Sequence, residues 1–194
     1  MTKKTAGQIQ EISGQIEKVA GVKVRQQVMN DSEKAAASSN PKDVALWVKD
    51  AMDRLDNNID FVKREEIMLA CGHNCCALNK RPMEMAKTRR RKFQTEEAFL
   101  TAEVQKPPKG VRLERNGDVL IHYYTPRTYG KGMRCYCSLM SGLPESVTAS
   151  STYCLCSCGF MEKYWEGILG RPVKVELGET AISGATECKF TVHL

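Results

Sequence analysis

The sequence changes character at residues 107–110, Pro-Pro-Lys-Gly, and this break constrains the fold more than any other feature. Before it, apolar residues recur at the spacing of amphipathic helices. After it, residues 111–124 have the pattern of a β-hairpin, because Asn116-Gly117 favours a tight turn between two strands. The sequence therefore predicts an α+β protein. An N-terminal helical layer, residues 1–106, precedes an α+β region, residues 107–194, and we expect both to form one compact domain.

The helical layer carries recognisable start signals. Asn40 is expected to cap a helix that has Pro41 in its first position, and Thr95 is expected to cap another whose first turn is acidic. The polar stretch between residues 30 and 40 predicts a loop. Helices are predicted over residues 5–30, 41–57, 59–70 and 82–92, and from Thr95 to the break.

The second region is predicted to be an antiparallel sheet with one long helix packed on it. Residues 132–139 are assigned to a third strand, and residues 152–169 to the helix, which Gly170 should close. A second hairpin is predicted from residues 172–183 and 186–194, around a Ser-Gly-Ala turn. Alternation in its last strand places Cys188 on the buried face.

Composition limits the cell compartment and the binding partners that we expect. No run of 18 apolar residues is present, so we expect no membrane span. The N-terminus lacks the apolar segment of a secretory signal, which predicts a cytoplasmic protein with reduced thiols. The net charge of +6 is mild and comes largely from residues 87–92, a run expected to be a solvated helix face. Nucleic acid is therefore not an expected partner, whereas a homodimer is left open.

Eight of the nine cysteines lie in three short clusters, and closely spaced thiols indicate a metal site. On the predicted helix, Cys154 and Cys158 share one face, whereas Cys156 lies about 200° away from Cys154. On the predicted strand, both cysteines lie on one face. The expected ligands are Cys154, Cys158 and Cys188, with a fourth from Cys135 or Cys137.

Four thiolates would close a tetrahedral zinc site, which would then be structural, and an iron–sulfur cluster is the alternative. A second or shared site is expected from the cluster that contains Cys71, His73, Cys75 and Cys76. Another interpretation of this cluster is catalytic. In it, Cys71 and His73 form a thiolate–imidazole pair.

The segment from Tyr153 to Leu194 resembles the C-terminal half of the 4-vinyl-reductase domain, a member of the heme-NO-binding-like ligand domains. The shared features are a cysteine at the head of a helix, the turn Leu-Gly-Arg-Pro-Val at 169–173 and the closing segment Ser-Gly-Ala-Thr-Glu-Cys-Lys-Phe at 183–190. The resemblance implies a ligand pocket beside a zinc ion held by three cysteines and a glutamate. Two of these cysteine positions match Cys154 and Cys188. The third falls near Thr180 and the glutamate near Leu177, so Cys158, Cys135 or Cys137 would have to replace them.

Aromatic residues surround the cysteine segments and predict a pocket for a small organic ligand. The expected lining consists of His122, Tyr123, Tyr136 and Trp165, with Tyr124, Tyr129 and Tyr153 as neighbours. The sequence thus predicts a small-molecule-binding protein with a structural, cysteine-rich metal site. The resemblance extends to small hydrolases of 2-aminothiazoline-4-carboxylate, which implies an enzyme as one alternative. An iron–sulfur or cysteine redox protein is the other.

Overall fold

The computed structural model describes residues 3–128 and 130–194, with side chains from Thr5 onward. Helices dominate the first half, and the strands follow. The helices are α1 (Lys3–Val28), α2 (Ser32–Ala37), α3 (Pro41–Asn58), α4 (Phe61–Leu78), α5 (Arg81–Arg90), α6 (Glu96–Gln105) and α7 (Leu155–Leu169). The strands are β1 (Val111–Asn116), β2 (Val119–Tyr124), β3 (Lys174–Leu177) and β4 (Cys188–His193). The predicted α+β class, with a helical layer before an antiparallel sheet, is confirmed.

The helix starts follow the capping chemistry of the sequence. The side chain of Asn40 accepts a hydrogen bond from the backbone N–H of Lys42, and the side chain of Thr95 accepts one from that of Ala98. The prediction of a loop between residues 30 and 40 was wrong in part, because α2 lies within it. The alanines and lysine of α2 are strong helix formers, and this outweighs the polar flanks.

The sheet has the order β1-β2-β4-β3, and every pair is antiparallel. The first hairpin closes at Asn116 and Val119, as the Asn-Gly turn predicts. The second hairpin is shorter than expected. β3 and β4 pair from Leu177 and Phe190 outward, and residues 178–187 form a longer connection that contains a 3₁₀ turn.

The predicted strand at residues 132–139 was wrong, because this segment is irregular and contains turns and bends instead of a strand. The cause is Arg134, a buried residue whose guanidinium donates only to backbone carbonyls. It donates to the carbonyls of Ala181 and Ile182 on one side and to those of Pro144 and Val147 on the other. These bonds join two loops and hold Cys135 and Cys137 away from any sheet.

Helix α7 packs on α4 and also contacts β3, so it joins the helical layer to the sheet. Its residues Met161 and Trp165 belong to the core that covers the sheet, together with Phe190. Helix α4 continues through Gly72 to Leu78 instead of ending near the glycine. None of the described helices is long and apolar enough to cross a lipid bilayer.

Candidate ligand-binding cavity

A cavity of about 600 Å³ lies between the inner face of the sheet, α5, α7 and the loop that contains Arg134. Its floor comes from β1, β2 and β4, and its opposite wall comes from α7. Pockets of 300–1,000 Å³ with apolar walls are typical of sites for small organic molecules. The ligand pocket that the sequence predicts stays a prediction, and this cavity is the candidate for it.

Strand alternation decides which aromatic residues face this cavity. His122 and Tyr124 lie on the inner face of β2, and their rings are 4.8 Å apart. Tyr123 lies on the other face, where its ring packs 3.5 Å from the guanidinium carbon of Arg112. The prediction that Tyr123 lines the pocket was therefore wrong, because neighbouring residues of a strand point to opposite sides. Its hydroxyl donates to Glu114.

The other predicted pocket residues do line the cavity. The ring of Trp165 is 6.1 Å from that of His122, and the ring of Tyr136 is 5.4 Å from that of Tyr124. Tyr153 also reaches the cavity wall. Tyr129 lies outside the described residues. The rings meet edge to face, which is a favourable geometry for aromatic pairs.

Two side chains of the lining carry buried polar atoms without partners. His122 is 4% exposed and Trp165 is 1% exposed. Neither ring nitrogen of His122 nor Nε1 of Trp165 has a hydrogen-bond partner among the described residues. Burial lowers the pKa of His122 from its usual 6.5 to about 3, so the imidazole is neutral at physiological pH. Unpaired buried polar groups cost about 1–3 kcal/mol each, a cost that a bound molecule can remove.

Thiols form a second part of the lining. Cys75 and five further cysteines reach the cavity: Cys135, Cys137, Cys154, Cys156 and Cys188. Burial raises the pKa of Cys135 to about 12, and it raises the pKa of Cys154 and Cys156 well above the usual value. Burial also raises the pKa of Cys188. These four thiols are protonated at neutral pH and are poor nucleophiles.

The expected position of Cys156, away from the other cavity thiols, was wrong, whereas Cys158 faces the sheet as expected but does not reach the cavity. Cys156 lies beside the cavity thiols, and after burial its pKa is raised mainly by Cys137 and Cys154. Cys158 is not part of the cavity lining and packs in the sheet core. The reason is local. Cys154 is the last residue of a 3₁₀ turn, and α7 begins at Leu155. The angle around the helix axis from Cys154 to the later cysteines therefore differs from that in one continuous α-helix.

The sulfurs that line the cavity accept hydrogen bonds from the protein. Sγ of Cys188 accepts from the backbone N–H of Ala181 at 3.3 Å, and Sγ of Cys135 accepts from that of Cys137 at 3.4 Å. Within residues 3–128 and 130–194, no three histidine, cysteine, aspartate or glutamate side chains are arranged to hold one metal ion. The residues as placed do not form the expected zinc or iron–sulfur ligand set, so that set stays a prediction.

The predicted second cluster is divided between the faces of α4. Cys71 and Cys75 line a neighbouring cavity of about 400 Å³. His73 lies about 200° around the helix from Cys71 and pairs with Glu162 of α7, with Nε2 and Oε2 2.9 Å apart. Burial raises the pKa of Cys71 to about 12. The hypothesis of a Cys71–His73 catalytic pair was therefore wrong. Cys76, the remaining cysteine of this cluster, is buried, and burial raises its pKa as well.

Polar residues of the lining were missed by the sequence analysis. Arg89 forms a bidentate pair with the buried Glu103, with N–O distances of 2.7 and 2.9 Å. This pair raises the pKa of Arg89. Arg89 belongs to the basic run that was interpreted as a solvated face. The signal that Arg89 turns toward the protein was its position on the same side of α5 as the buried Ala86.

An α+β fold whose sheet, α5 and α7 enclose a ligand-sized cavity defines the structural class of this chain. The chain belongs to the family of unknown function DUF6144, whose model matches residues 3–194. A comparison with curated proteins gave no match. The resemblance of residues 153–194 to the 4-vinyl-reductase domain stays a prediction.

Proposed function

We propose that this protein binds a small aromatic molecule that carries one neutral hydrogen-bonding group. The observation that carries the proposal is the presence of two buried side chains in the cavity, His122 and Trp165, whose ring nitrogens have no partner among the described residues. Native proteins pair most buried polar atoms, so two side chains of a cavity lining that keep unpaired nitrogens support a ligand site beside them.

The chemistry of these two side chains selects the polar group. Trp165 Nε1–H can only donate, whereas a neutral imidazole donates through one nitrogen and accepts through the other. A hydroxyl group can accept from Trp165 and donate to His122. A phenol or an aromatic alcohol therefore satisfies both residues, while its ring lies against Tyr124 and Phe160.

A carboxylate ligand is disfavoured by the charges around the cavity. The guanidinium of Arg134 is engaged by backbone carbonyls, and that of Arg89 is engaged by Glu103. His122 is neutral, so it provides no positive charge. Arg81 and Lys109 also line the cavity. An anion held at His122 and Trp165 would still lose its hydration without a positive charge on either of these two side chains, which costs several kcal/mol.

Calorimetric titration with phenol, 4-methylphenol and 2-naphthol tests the proposal, with 2-naphthoate as the charged comparison. We expect binding of at least one of the neutral compounds, and binding of 2-naphthoate at least tenfold weaker than that of 2-naphthol. The matched variants are Ser157→Phe, which adds a ring to the cavity lining, and Ser146→Phe, which adds one at an exposed loop position. Binding should be lost only in Ser157→Phe. Equal binding by both variants would contradict the cavity as the site.

A structural metal site is the second candidate function. It is supported by three thiols at one end of the cavity, since the pKa of Cys154 is raised first by burial and then by Cys188 and Cys135. These three side chains would have to reorient to bind zinc or an iron–sulfur cluster, with a fourth ligand from Cys137 or Cys156.

Metal analysis of the purified protein tests this candidate. About one zinc per chain that is lost in Cys154→Ser and Cys188→Ser, but kept in Cys158→Ser, would support it. A brown protein with visible absorption would indicate an iron–sulfur cluster. A metal-free, folded protein would contradict both the zinc site and the iron–sulfur cluster.

We propose a cytoplasmic location, because the structure holds nine free thiols.

An enzyme of the 2-aminothiazoline-4-carboxylate hydrolase type is the third candidate, and it has less support. Such a reaction needs an activated nucleophile in the cavity, whereas burial keeps the thiols of Cys135, Cys154 and Cys156 protonated. The neutral His122 has no partner among the described residues that would orient it as a general base. Binding without hydrolysis is the function that these observations favour.

A further inference from the structure

We propose that Cys137 and Cys156 form a redox-active dithiol that reduces small disulfides entering the cavity. Cys137 is the attacking thiol and Cys156 is the resolving thiol. The inference depends on the cavity and its thiols, and it does not depend on the phenol-type ligand proposed above.

Cys137 stands at the boundary between two cavities. It lines the cavity of about 600 Å³ and the neighbouring one of about 400 Å³, and its side chain is half-buried. A small molecule in either cavity can therefore reach its sulfur. The thiols of Cys154 and Cys188, by contrast, are buried and line only the larger cavity.

Two side-chain donors point at the sulfur of Cys137. The hydroxyl of Tyr153 donates to it at 3.0 Å, and Nε2 of Gln8 donates at 3.5 Å. The hydroxyl of Ser138 donates to Oε1 of Gln8 at 2.9 Å, which turns the amide so that its NH₂ group faces the sulfur. Donors aimed at one sulfur stabilise negative charge on it, and the thiolate is the species that attacks a disulfide.

Cys156 has the properties of a resolving thiol. It also lines both cavities, and its side chain is partly buried. Burial is the largest cause of the raised pKa of Cys156, and Cys137 is the largest cause among its neighbouring groups. Both side chains also stand at the boundary between the same two cavities, which makes them neighbours. A thiol with a raised pKa does not compete for the first attack, but once it loses its proton it can attack a mixed disulfide held beside it.

The reaction balances without another reductant. Sγ of Cys137 attacks one sulfur of the small disulfide, the S–S bond breaks, and the first thiol leaves with the proton of Cys137. Sγ of Cys156 then attacks Sγ of Cys137, and the second thiol leaves with the proton of Cys156. One disulfide becomes two thiols, and the protein dithiol becomes a Cys137–Cys156 disulfide.

The test uses the reduced full chain and 4,4′-dithiodipyridine, a small aromatic disulfide whose product, 4-thiopyridone, is followed by absorbance. We expect a fast phase that releases about two equivalents of thiopyridone per chain. Mass spectrometry of the digested product should show a Cys137–Cys156 disulfide. In Cys156→Ser the fast phase should release about one equivalent and leave the mixed disulfide on Cys137.

Three further variants separate this account from general thiol exposure. Cys137→Ser should slow the fast phase at least tenfold, and Tyr153→Phe should slow it by removing one donor. Cys75→Ser removes another thiol that lines both cavities and should leave the rate unchanged. Wild-type protein treated with less than one equivalent of reagent should carry its first label on Cys137, a result that depends on no variant. A first label on another cysteine, or a disulfide between another pair, would overturn the proposal.

Discussion

Gly72 of α4 and Gly159 of α7 allow their helices to approach until backbone meets backbone. A Cβ atom on Gly72 would lie 2.7 Å from the backbone N of Phe160 and closer still to the carbonyl oxygen of Cys156. A Cβ on Gly159 would lie 2.9 Å from Cα of Leu69 and would collide with the carbonyl oxygen of that residue. This contact fixes Cys156 against α4 and so helps to position one wall of the cavity.

Alanine at either glycine should destabilise the protein. Backbone atoms cannot move aside as a flexible side chain can, so Gly72→Ala and Gly159→Ala should each lower the free energy of unfolding by about 3 kcal/mol. Gly14→Ala is the matched control, because nothing lies within 4 Å of its added Cβ in helix α1. That change should raise stability by about 0.5–1 kcal/mol. Urea unfolding measures the stability of all three variants. A change at Gly72 or Gly159 that equals the change at Gly14 would contradict the close contact between the helices.

The buried neutral His122 should make stability fall as the pH is lowered. Its pKa is about 3 in the folded protein and about 6.5 in the unfolded chain, so the unfolded chain binds the additional proton between these values. From pH 7 to pH 5 this group alone should remove about 2 kcal/mol of the free energy of unfolding. His122→Phe cannot titrate, so its urea-unfolding profile should be flatter over this range. Parallel profiles for the two proteins would show that His122 takes up its proton as readily in the folded protein as in the unfolded chain.

Replacement of Arg134 by methionine should release the two loops that it joins. The change leaves the carbonyls of Ala181 and Val147 without their donor, and we expect a loss of about 3 kcal/mol. Arg127→Met removes an exposed arginine nearby and should change stability by less than about 0.5 kcal/mol. Thermal unfolding measures both. Faster alkylation of Cys135 in Arg134→Met would show that the loop has lost its anchor.

Much of the fold could be predicted from local chemistry. The caps at Asn40 and Thr95, the Asn116-Gly117 turn and the helix end at Gly170 each depend on a few neighbouring residues, and each is present in the structure. The division at residues 107–110 follows from the same local signals. These features do not require knowledge of what packs against them.

The details of the site could be predicted only in part. The inner position of His122 and the outer position of Tyr123 follow from strand alternation, which the sequence already shows. The presence of Cys156, and not Cys158, in the cavity lining depends on a single 3₁₀ turn before α7. No residue pattern indicates that turn. The loop position of Cys135 depends on carbonyls supplied by distant segments to Arg134, and such contacts leave no local signal.

The indole N–H signals provide the most direct measurement of the central claim, that the cavity binds a neutral aromatic ligand through His122 and Trp165. The chain has two tryptophans, and Nε1 of Trp47 already donates to the carbonyl of Asn30 at 2.8 Å. In a ¹H–¹⁵N spectrum titrated with the neutral compound that binds most tightly among phenol, 4-methylphenol and 2-naphthol, the Trp165 signal should move downfield as its N–H gains an acceptor. The Trp47 signal should stay in place and serve as the internal reference. A Trp165 signal that does not move at saturating ligand would contradict the account.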